Sequence, residues 1–173
     1  GQSVAICDRM PKIGKKILAS GNGRCNLLNE KLDESFYNPA ARVLVKSIFE
    51  KFGKGHIQSF FKELGLETYS EDGRIFPRTN QSSSVMKVLE MELARLSVPI
   101  ELNFEVKSVS HSEGSFTITS RSGKSMECEK LIVAAGGRSY PALGSDGSCY
   151  KMISDLGHKI VEPVPAAVPL VLK

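Results

Sequence analysis

The feature that most constrains this chain is a seven-residue stretch near its N-terminus, Ser20 to Asn26, with the sequence S-G-N-G-R-C-N. Its two glycines allow left-handed backbone and let a ligand approach the main chain closely. Arg24 offers a planar fork of donors that suits phosphate or a ring carbonyl. Little in the stretch can fill a hydrophobic core, so we predict a loop built around a ligand; an elaborate turn without a ligand is the alternative.

The bulk composition is typical of an ordinary globular protein. The chain has 173 residues, of which 41% are hydrophobic and 24% charged, enough for one domain or two small ones. No apolar run approaches the roughly 20 residues that span a bilayer, and the N-terminus has no signal-peptide pattern. A cytoplasmic location without a membrane anchor is therefore expected.

Cysteine spacing and net charge argue against two further classes of protein. The four cysteines form no C-x-x-C pair, which gives no support to a zinc site and indicates free thiols. The net charge is +4, but no basic block is interleaved with aromatic residues. Nucleic-acid binding is therefore not expected, and the lysine excess is interpreted as ordinary surface.

Apolar residues recur at helical spacing in the first half of the chain. This spacing predicts helices over residues 40–52 and 56–64, each closed by a glycine. Residues 67–76 predict a hairpin with an Asp-Gly turn, and three serines offer N-caps for a long helix over 82–97. Residues 30–97 are therefore interpreted as a helical domain, following a basic loop over residues 9–29.

From Pro99 the apolar period changes to two, which predicts strands. Residues 100–102, 104–109 and 116–119 are expected to form a β-meander. The meander and the chain that follows it, residues 98–173, are assigned to the same domain as residues 1–29.

The apolar run Lys130 to Ala135 predicts a parallel strand buried on both faces, and it ends in Gly136-Gly137. Two glycines at that edge would let the backbone pass close to a cofactor; a plain strand-to-loop turn is the alternative. A helix over 147–156 and a final strand over 159–161 are expected, then a proline-rich tail over 163–169.

Asp8 follows a predicted buried strand, Ser3 to Cys7. An acid at this position accepts hydrogen bonds from ribose hydroxyls in dinucleotide-binding folds, although aspartate is also a common turn residue. Because the strand starts almost at residue 1, we expect the chain to be a fragment or to have lost a first βα unit.

No catalytic group is evident from the sequence. The stretch G-N-G-R-C-N has Asn26 where the phosphate-binding fingerprint G-x-G-x-x-G needs its third glycine, so that interpretation is rejected. Cys25 follows an arginine, which can make a thiol reactive, but a small side chain that fits a tight turn is the favoured interpretation. The three histidines are isolated, so a cofactor is expected to carry any chemistry.

In order along the chain, these motifs resemble those of the YhiN/HI0933-like flavoproteins, a bacterial family that includes BaiN-like NAD(P)/FAD-dependent oxidoreductases. The family shows S-G-G-G-R-C-N, then G-R-hydrophobic-F-P, then A-T-G-G-x-S-Y-P-x-x-G-S-x-G-x-G-Y, and last P-A-x-V-P-L. The corresponding residues here are 20–26, 73–77, 134–150 and 165–170. The chain departs from the family pattern at Asp8 (usually Glu), Asn22 (Gly), Ala135 (Thr) and Cys149 (Gly).

The resemblance implies an α/β fold: a partial Rossmann-like FAD-binding domain with a β-meander and an inserted helical domain. It also implies an FAD-dependent oxidoreductase whose flavin takes a hydride from a small-molecule substrate or NAD(P)H. Asp8 would bind the adenosine ribose, and Val106 the adenine through its backbone. Gly136 and Gly137 would border the pyrophosphate. The residues that would line the flavin or its phosphates are Lys15, Lys16, Arg24, Cys25 and Asn26.

Two further expectations follow from this resemblance. The family's proteins are roughly twice this length, so the 173-residue chain alone is expected to bind FAD poorly. The alternative class is a nucleotide- or nucleic-acid-binding remnant without redox activity, which would use Lys12, Lys15, Lys16 and Arg24.

Overall fold

A computed structural model describes residues 3–165, which divide into two compact units. One unit contains residues 3–6 and Gly14–Pro99, and the other contains Cys7–Ile13 and residues 100–165. In chain order the described elements are β1 (Ile6–Cys7), α1 (Lys15–Ala19), β2 (Leu28–Asn29), α2 (Arg42–Lys51), α3 (Lys54–Glu63), β3 (Thr68–Glu71), β4 (Arg74–Pro77), α4 (Ser82–Arg95), β5 (Ile100–Glu101), β6 (Val106–Ser112), β7 (Ser115–Ser120), β8 (Ser125–Cys128) and α5 (Ser148–Asp155).

The first unit is built on a three-stranded antiparallel sheet in the order β2-β4-β3. The predicted hairpin is confirmed, with Asp72 and Gly73 both in the left-handed region that a tight two-residue turn requires. The central strand β4 carries Ile75 and Phe76, which are 2% and 4% exposed. Because consecutive residues of a strand point to opposite faces, the middle strand is covered on both faces of the sheet.

Helix α4 supplies the most deeply buried apolar residue of this unit, Val85, which is 1% exposed. Val85 forms a core cluster with Cys25 and Leu66. Partly buried side chains pack around this cluster, namely Ile17, Leu27, Phe61, Val88 and Leu89. The apolar residues in the first half of α4 therefore face the core, whereas Leu96, within the predicted helix over 82–97, follows the last helical residue Arg95 and is 54% exposed.

The predicted helices are confirmed as α2, α3 and α4, but the start of α4 differs from the prediction. The serines at 82–84 were expected to cap α4, whereas the residue that precedes the helix is Gln81, without a side-chain cap. The Ser82 hydroxyl instead donates to the Leu18 carbonyl at 2.9 Å. Residues 9–29 are also more ordered than the predicted loop, because they contain α1 and β2.

The second unit contains a β-meander with the antiparallel order β6-β7-β8. The strand predicted over residues 100–102 is β5, which pairs with β1 and is not part of the meander. Strand β1 is shorter than the predicted Ser3–Cys7. Immediately after it, the Asp8 amide donates to the Glu101 carbonyl at 2.9 Å. The helix predicted over 147–156 is confirmed as α5.

Two predicted strands are absent from the described part of the second unit. Lys130 to Ala135 has no strand pairing, and Ile132 is 88% exposed rather than buried. Residues 159–161 likewise pair with no described strand. A strand needs a neighbour for its N–H and C=O groups, and neither segment has one among residues 3–165. The tail motif from residue 166 onward lies outside the described residues.

The described helices are all too short for a membrane span. The longest, α4, has 14 residues, and none in residues 3–165 combines the length and apolar character that crossing a bilayer needs.

Candidate functional site

The loop Ser20–Asn26 adopts an unusual backbone. Gly21, Asn22, Gly23 and Cys25 all have positive φ, at 55°, 54°, 83° and 59°. Two backbone bonds close the loop on itself: the Arg24 amide donates to Gly21 and the Cys25 amide donates to Ser20. A run of left-handed residues of this kind is costly for side chains other than glycine, so the surroundings must hold it in place.

Cys25 anchors the loop from the inside of the first unit. Its side chain is 5% exposed and lies in the core cluster with Leu66 and Val85. The thiol is therefore a buried packing group, which agrees with the favoured interpretation of a small side chain in a tight turn.

Arg24 anchors the same loop on the opposite side, against β3 and β4. Its Nη1 and Nη2 donate to the two carboxylate oxygens of Glu71 at 2.8 and 2.9 Å. Nη2 also donates to the Tyr69 hydroxyl at 2.6 Å, and Nε donates to Asn80 Oδ1 at 2.9 Å. The guanidinium lies 4.1 Å from the centre of the Phe76 ring. We call Arg24 and these four partners the Arg24 clamp.

The clamp fixes the charge of its members. Hydrogen bonds from Arg24 and then Tyr69 hold the pKa of the Glu71 carboxyl below its ordinary value, while the hydrogen bond to Glu71 raises the pKa of Arg24. Both side chains are therefore ionised at neutral pH, and four of the guanidinium's five N–H groups are used within the unit.

The remaining predicted site residues of the first unit flank this loop. Lys15 and Lys16 form the start of α1, which runs directly into the loop; Lys15 is partly buried and Lys16 is exposed. Asn26 is exposed at the loop's end. Five of the predicted site residues therefore lie on α1 and the loop that follows it: Lys15, Lys16, Arg24, Cys25 and Asn26.

Asp8 in the second unit is held from both its backbone and its side chain. Its carbonyl accepts from the Phe104 amide at 2.9 Å, and Oδ1 accepts from the Met10 amide at 2.8 Å. The second carboxylate oxygen has acceptor capacity for a ligand hydroxyl. Val106 is partly buried at the start of β6, beside a bulge in the β6–β7 ladder.

Gly136 and Gly137 are placed against α5 within the second unit. The Gly136 carbonyl accepts a hydrogen bond from the buried Cys149 thiol at 3.2 Å, and the Gly137 carbonyl accepts from the Gly147 amide at 3.0 Å. A Cβ at Gly137 would lie 3.3 Å from the Tyr150 hydroxyl. The glycine pair therefore lets the chain pass close to the start of a helix.

An ion pair that the sequence analysis did not identify also lies in the second unit. Arg9 Nη1 donates to Asp146 Oδ2 at 2.6 Å, while Asp146 Oδ1 accepts from the Ser148 amide at 3.0 Å. These hydrogen bonds, first from Arg9 and then from Ser148, hold the pKa of Asp146 far below its ordinary range. The pair joins the segment after Asp8 to the first residue of α5.

The Arg24 clamp was also missed, although one signal for it was present. Tyr69 and Glu71 are two residues apart on a predicted strand, so their side chains share a face. Nothing in that spacing indicates an arginine 45 to 47 residues earlier as their partner. Among residues 3–165, no group of three or more metal-ligating acids, histidines or cysteines is close enough to hold a metal ion.

The parallel β1–β5 hydrogen bonding, the antiparallel meander and the helices that connect them define an α/β protein. The chain belongs to the HI0933-like family, because the model of the HI0933-like protein Rossmann domain matches residues 1–168.

Relatives with curated names support this assignment. The chain is 41% identical over 170 residues to the 3-dehydro-bile acid delta(4,6)-reductase of Clostridium scindens, covering 98% of this chain and 41% of that protein. It is 30% identical over 173 residues to the ribosomal RNA dihydrouridine synthase of Escherichia coli, and 29% identical over 174 residues to that of Haemophilus influenzae. These alignments cover 99% and 98% of this chain and 43% of each synthase. The chain thus spans about two fifths of the length of these relatives.

Proposed function

We propose that this chain is the cofactor-binding part of an FAD-dependent reductase. The observation that carries the proposal is the match of residues 1–168 to a Rossmann-domain family, together with a reductase relative at 41% identity. Rossmann folds bind dinucleotides through strand-end acids and glycine-rich turns. Asp8 follows strand β1, and we propose that Gly136-Gly137 is the place where the backbone approaches the cofactor.

We propose cofactor-binding roles for residues of each unit, taken separately. In the second unit, Asp8 would accept hydrogen bonds from the adenosine ribose, and the Val106 backbone would meet the adenine. Gly136 and Gly137 would let the chain approach the pyrophosphate. In the first unit, Lys15, Lys16 and Asn26 would line the flavin or its phosphates, beside the loop that Arg24 and Cys25 anchor.

The chemistry proposed is the reduction of a carbon–carbon double bond. The names of the relatives describe such a step in two settings, a bile acid and the uridine of ribosomal RNA. A bound flavin, once it has taken a hydride from NAD(P)H, would supply the hydride for the double bond, and a proton would complete the reduction. We propose a small-molecule substrate, since the bile-acid reductase is the more similar of these relatives.

The experiment is a flavin titration of the complete protein that carries this chain. After purification and reconstitution with FAD, an oxidised-flavin absorption band is expected, and NAD(P)H should bleach it without oxygen. An unsaturated 3-oxo steroid should then restore the band, while an unmodified ribosomal RNA fragment should not. A protein that takes up no flavin would contradict the proposed function, and restoration by RNA alone would reverse the substrate assignment.

A further inference from the structure

We propose that Tyr69, Glu71 and Asn80 are positioning residues of the cofactor site, because they hold Arg24 and thereby the left-handed loop Ser20–Asn26. The inference rests on the proposed function and adds to it residues outside the family motifs. In this role Arg24 acts through the loop it stabilises, and its guanidinium is not a direct phosphate ligand.

The geometry of the guanidinium supports this role. Glu71 binds it through two parallel hydrogen bonds, the strongest arrangement available to an arginine and a carboxylate. Asn80 and Tyr69 take two further bonds, and the Tyr69 hydroxyl in turn donates to Asn80 Oδ1 at 2.6 Å. Phe76 covers one face of the group. One N–H group, on Nη1, is left over from these bonds, so a phosphate could bind this cation through two N–H groups only by displacing one of the partners.

The loop needs such a hold at this position. Arg24 lies between Gly23 and Cys25, both of which have positive φ. The Cys25 side chain is fixed in the core. The contacts of the Arg24 side chain are a second attachment, so both ends of the Arg24–Cys25 peptide are held. The two anchors together oppose the cost of the left-handed backbone.

The test compares two substitutions that each break a close, two-pronged arginine–glutamate pair in the first unit. Glu71→Gln breaks the clamp, while Glu92→Gln breaks the pair in which Arg95 donates to both oxygens of Glu92 at 2.7 and 2.6 Å on α4. Amide hydrogen exchange of residues 20–26 and the Kd for FAD are measured for the complete protein. Glu71→Gln should speed exchange in the loop and weaken FAD binding by about tenfold, the scale of one charge-assisted hydrogen bond. Glu92→Gln should change neither.

Arg24→Lys separates positioning from direct binding. Lysine keeps the positive charge but loses the planar fork, so a positioning role predicts FAD binding as weak as in Glu71→Gln. If Arg24 bound a phosphate directly, the two variants would differ in sign: Arg24→Lys would weaken FAD binding because the fork is lost, whereas Glu71→Gln would tighten it because the competing carboxylate is gone. Tighter FAD binding in Glu71→Gln, or unchanged loop exchange in that variant, overturns the proposal.

Two measures keep the test decisive. If Glu71→Gln does not fold, Tyr69→Phe replaces it, because this change removes only one hydroxyl from the clamp. Compared with Glu92→Gln, it should also speed loop exchange and weaken FAD binding, but by less than Glu71→Gln. If the wild-type protein takes up no FAD, the proposed function fails, whereas the exchange comparison still supports or overturns the clamp.

Discussion

At the scale of single residues, the neighbours Arg24 and Cys25 hold the same loop in different ways, one through polar contacts and one through core packing. The thiol is buried at 5% exposure and packs with Val85, while the guanidinium is bound at a half-exposed surface by Glu71. The sequence predicted a special loop from its glycines and its arginine. It could not predict the partner of the arginine, because that partner depends on how β3 and β4 are placed.

The two glycines of the loop should differ in their tolerance of a side chain. A Cβ at Gly21 would lie 2.7 Å from the Asn26 amide nitrogen, whereas a Cβ at Gly23 meets nothing within 4 Å. Gly23→Ala should therefore lower the free energy of unfolding by about 1 kcal/mol, the cost of placing alanine in a left-handed backbone conformation. Gly21→Ala should cost about 2–3 kcal/mol, because the clash adds to that term.

Urea unfolding of the two variants and the wild type measures these costs. Equal costs for the two substitutions would contradict the assigned contact at Gly21.

At the scale of elements, helices and hairpins were predictable where the signal is local. Residues 40–52 and 67–76 gave α2 and the β3–β4 hairpin because periodicity and an Asp-Gly turn act within a few residues. Lys130 to Ala135 did not give a strand. An apolar run predicts that a segment is buried. It does not show which other strand would provide the backbone hydrogen bonds that a β-strand needs.

The free energy of unfolding should depend on pH through Asp146, which lies just before α5. Its pKa is lowered in the folded state by Arg9 and Ser148. The stabilisation is therefore complete above the unfolded pKa of about 3.9 and is lost as the pH falls through the lower folded pKa. Asp146→Asn should reduce the unfolding free energy by up to about 1 kcal/mol near neutral pH, after allowance for solvent screening of a partly exposed pair.

This difference should shrink progressively below about pH 4, as measured by urea unfolding at several pH values. Asp155→Asn is the matched control, because it breaks the exposed Lys151–Asp155 pair in the same helix and should change stability little. An effect of Asp146→Asn that persists undiminished in acid would be evidence against the ion pair.

At the scale of the whole molecule, the described residues leave much apolar surface uncovered. Val43 in the first unit is 84% exposed, and Ile132 in the second is 88% exposed. Family membership over residues 1–168 followed from motifs in sequence order, yet the exposure of Ile132 did not, because it lies in a segment whose pattern predicts burial. Which apolar side chains are covered is a property of the assembled chain rather than of any one segment.

Substitution of these two residues should change the surface without changing stability. Val43→Ser and Ile132→Ser should each lower the fluorescence of a bound apolar dye, and each should keep the unfolding free energy within about 0.5 kcal/mol of wild type. Val85→Ala, at a site only 1% exposed, should instead cost about 2 kcal/mol. A large loss of stability in Ile132→Ser would mean that this segment is packed rather than exposed.

The way the loop Ser20–Asn26 is attached has a consequence for protein engineering. Its seven residues form a distinctive motif, but their shape is enforced by a cavity that accepts Cys25 and by three polar groups on distant parts of the chain. Transplanting the motif alone into another scaffold would deliver a flexible linker. A working graft would have to carry the β3–β4 hairpin, Asn80 and Val85 with it, so the transferable module runs from Ser20 to Val85 and has 66 residues, not seven.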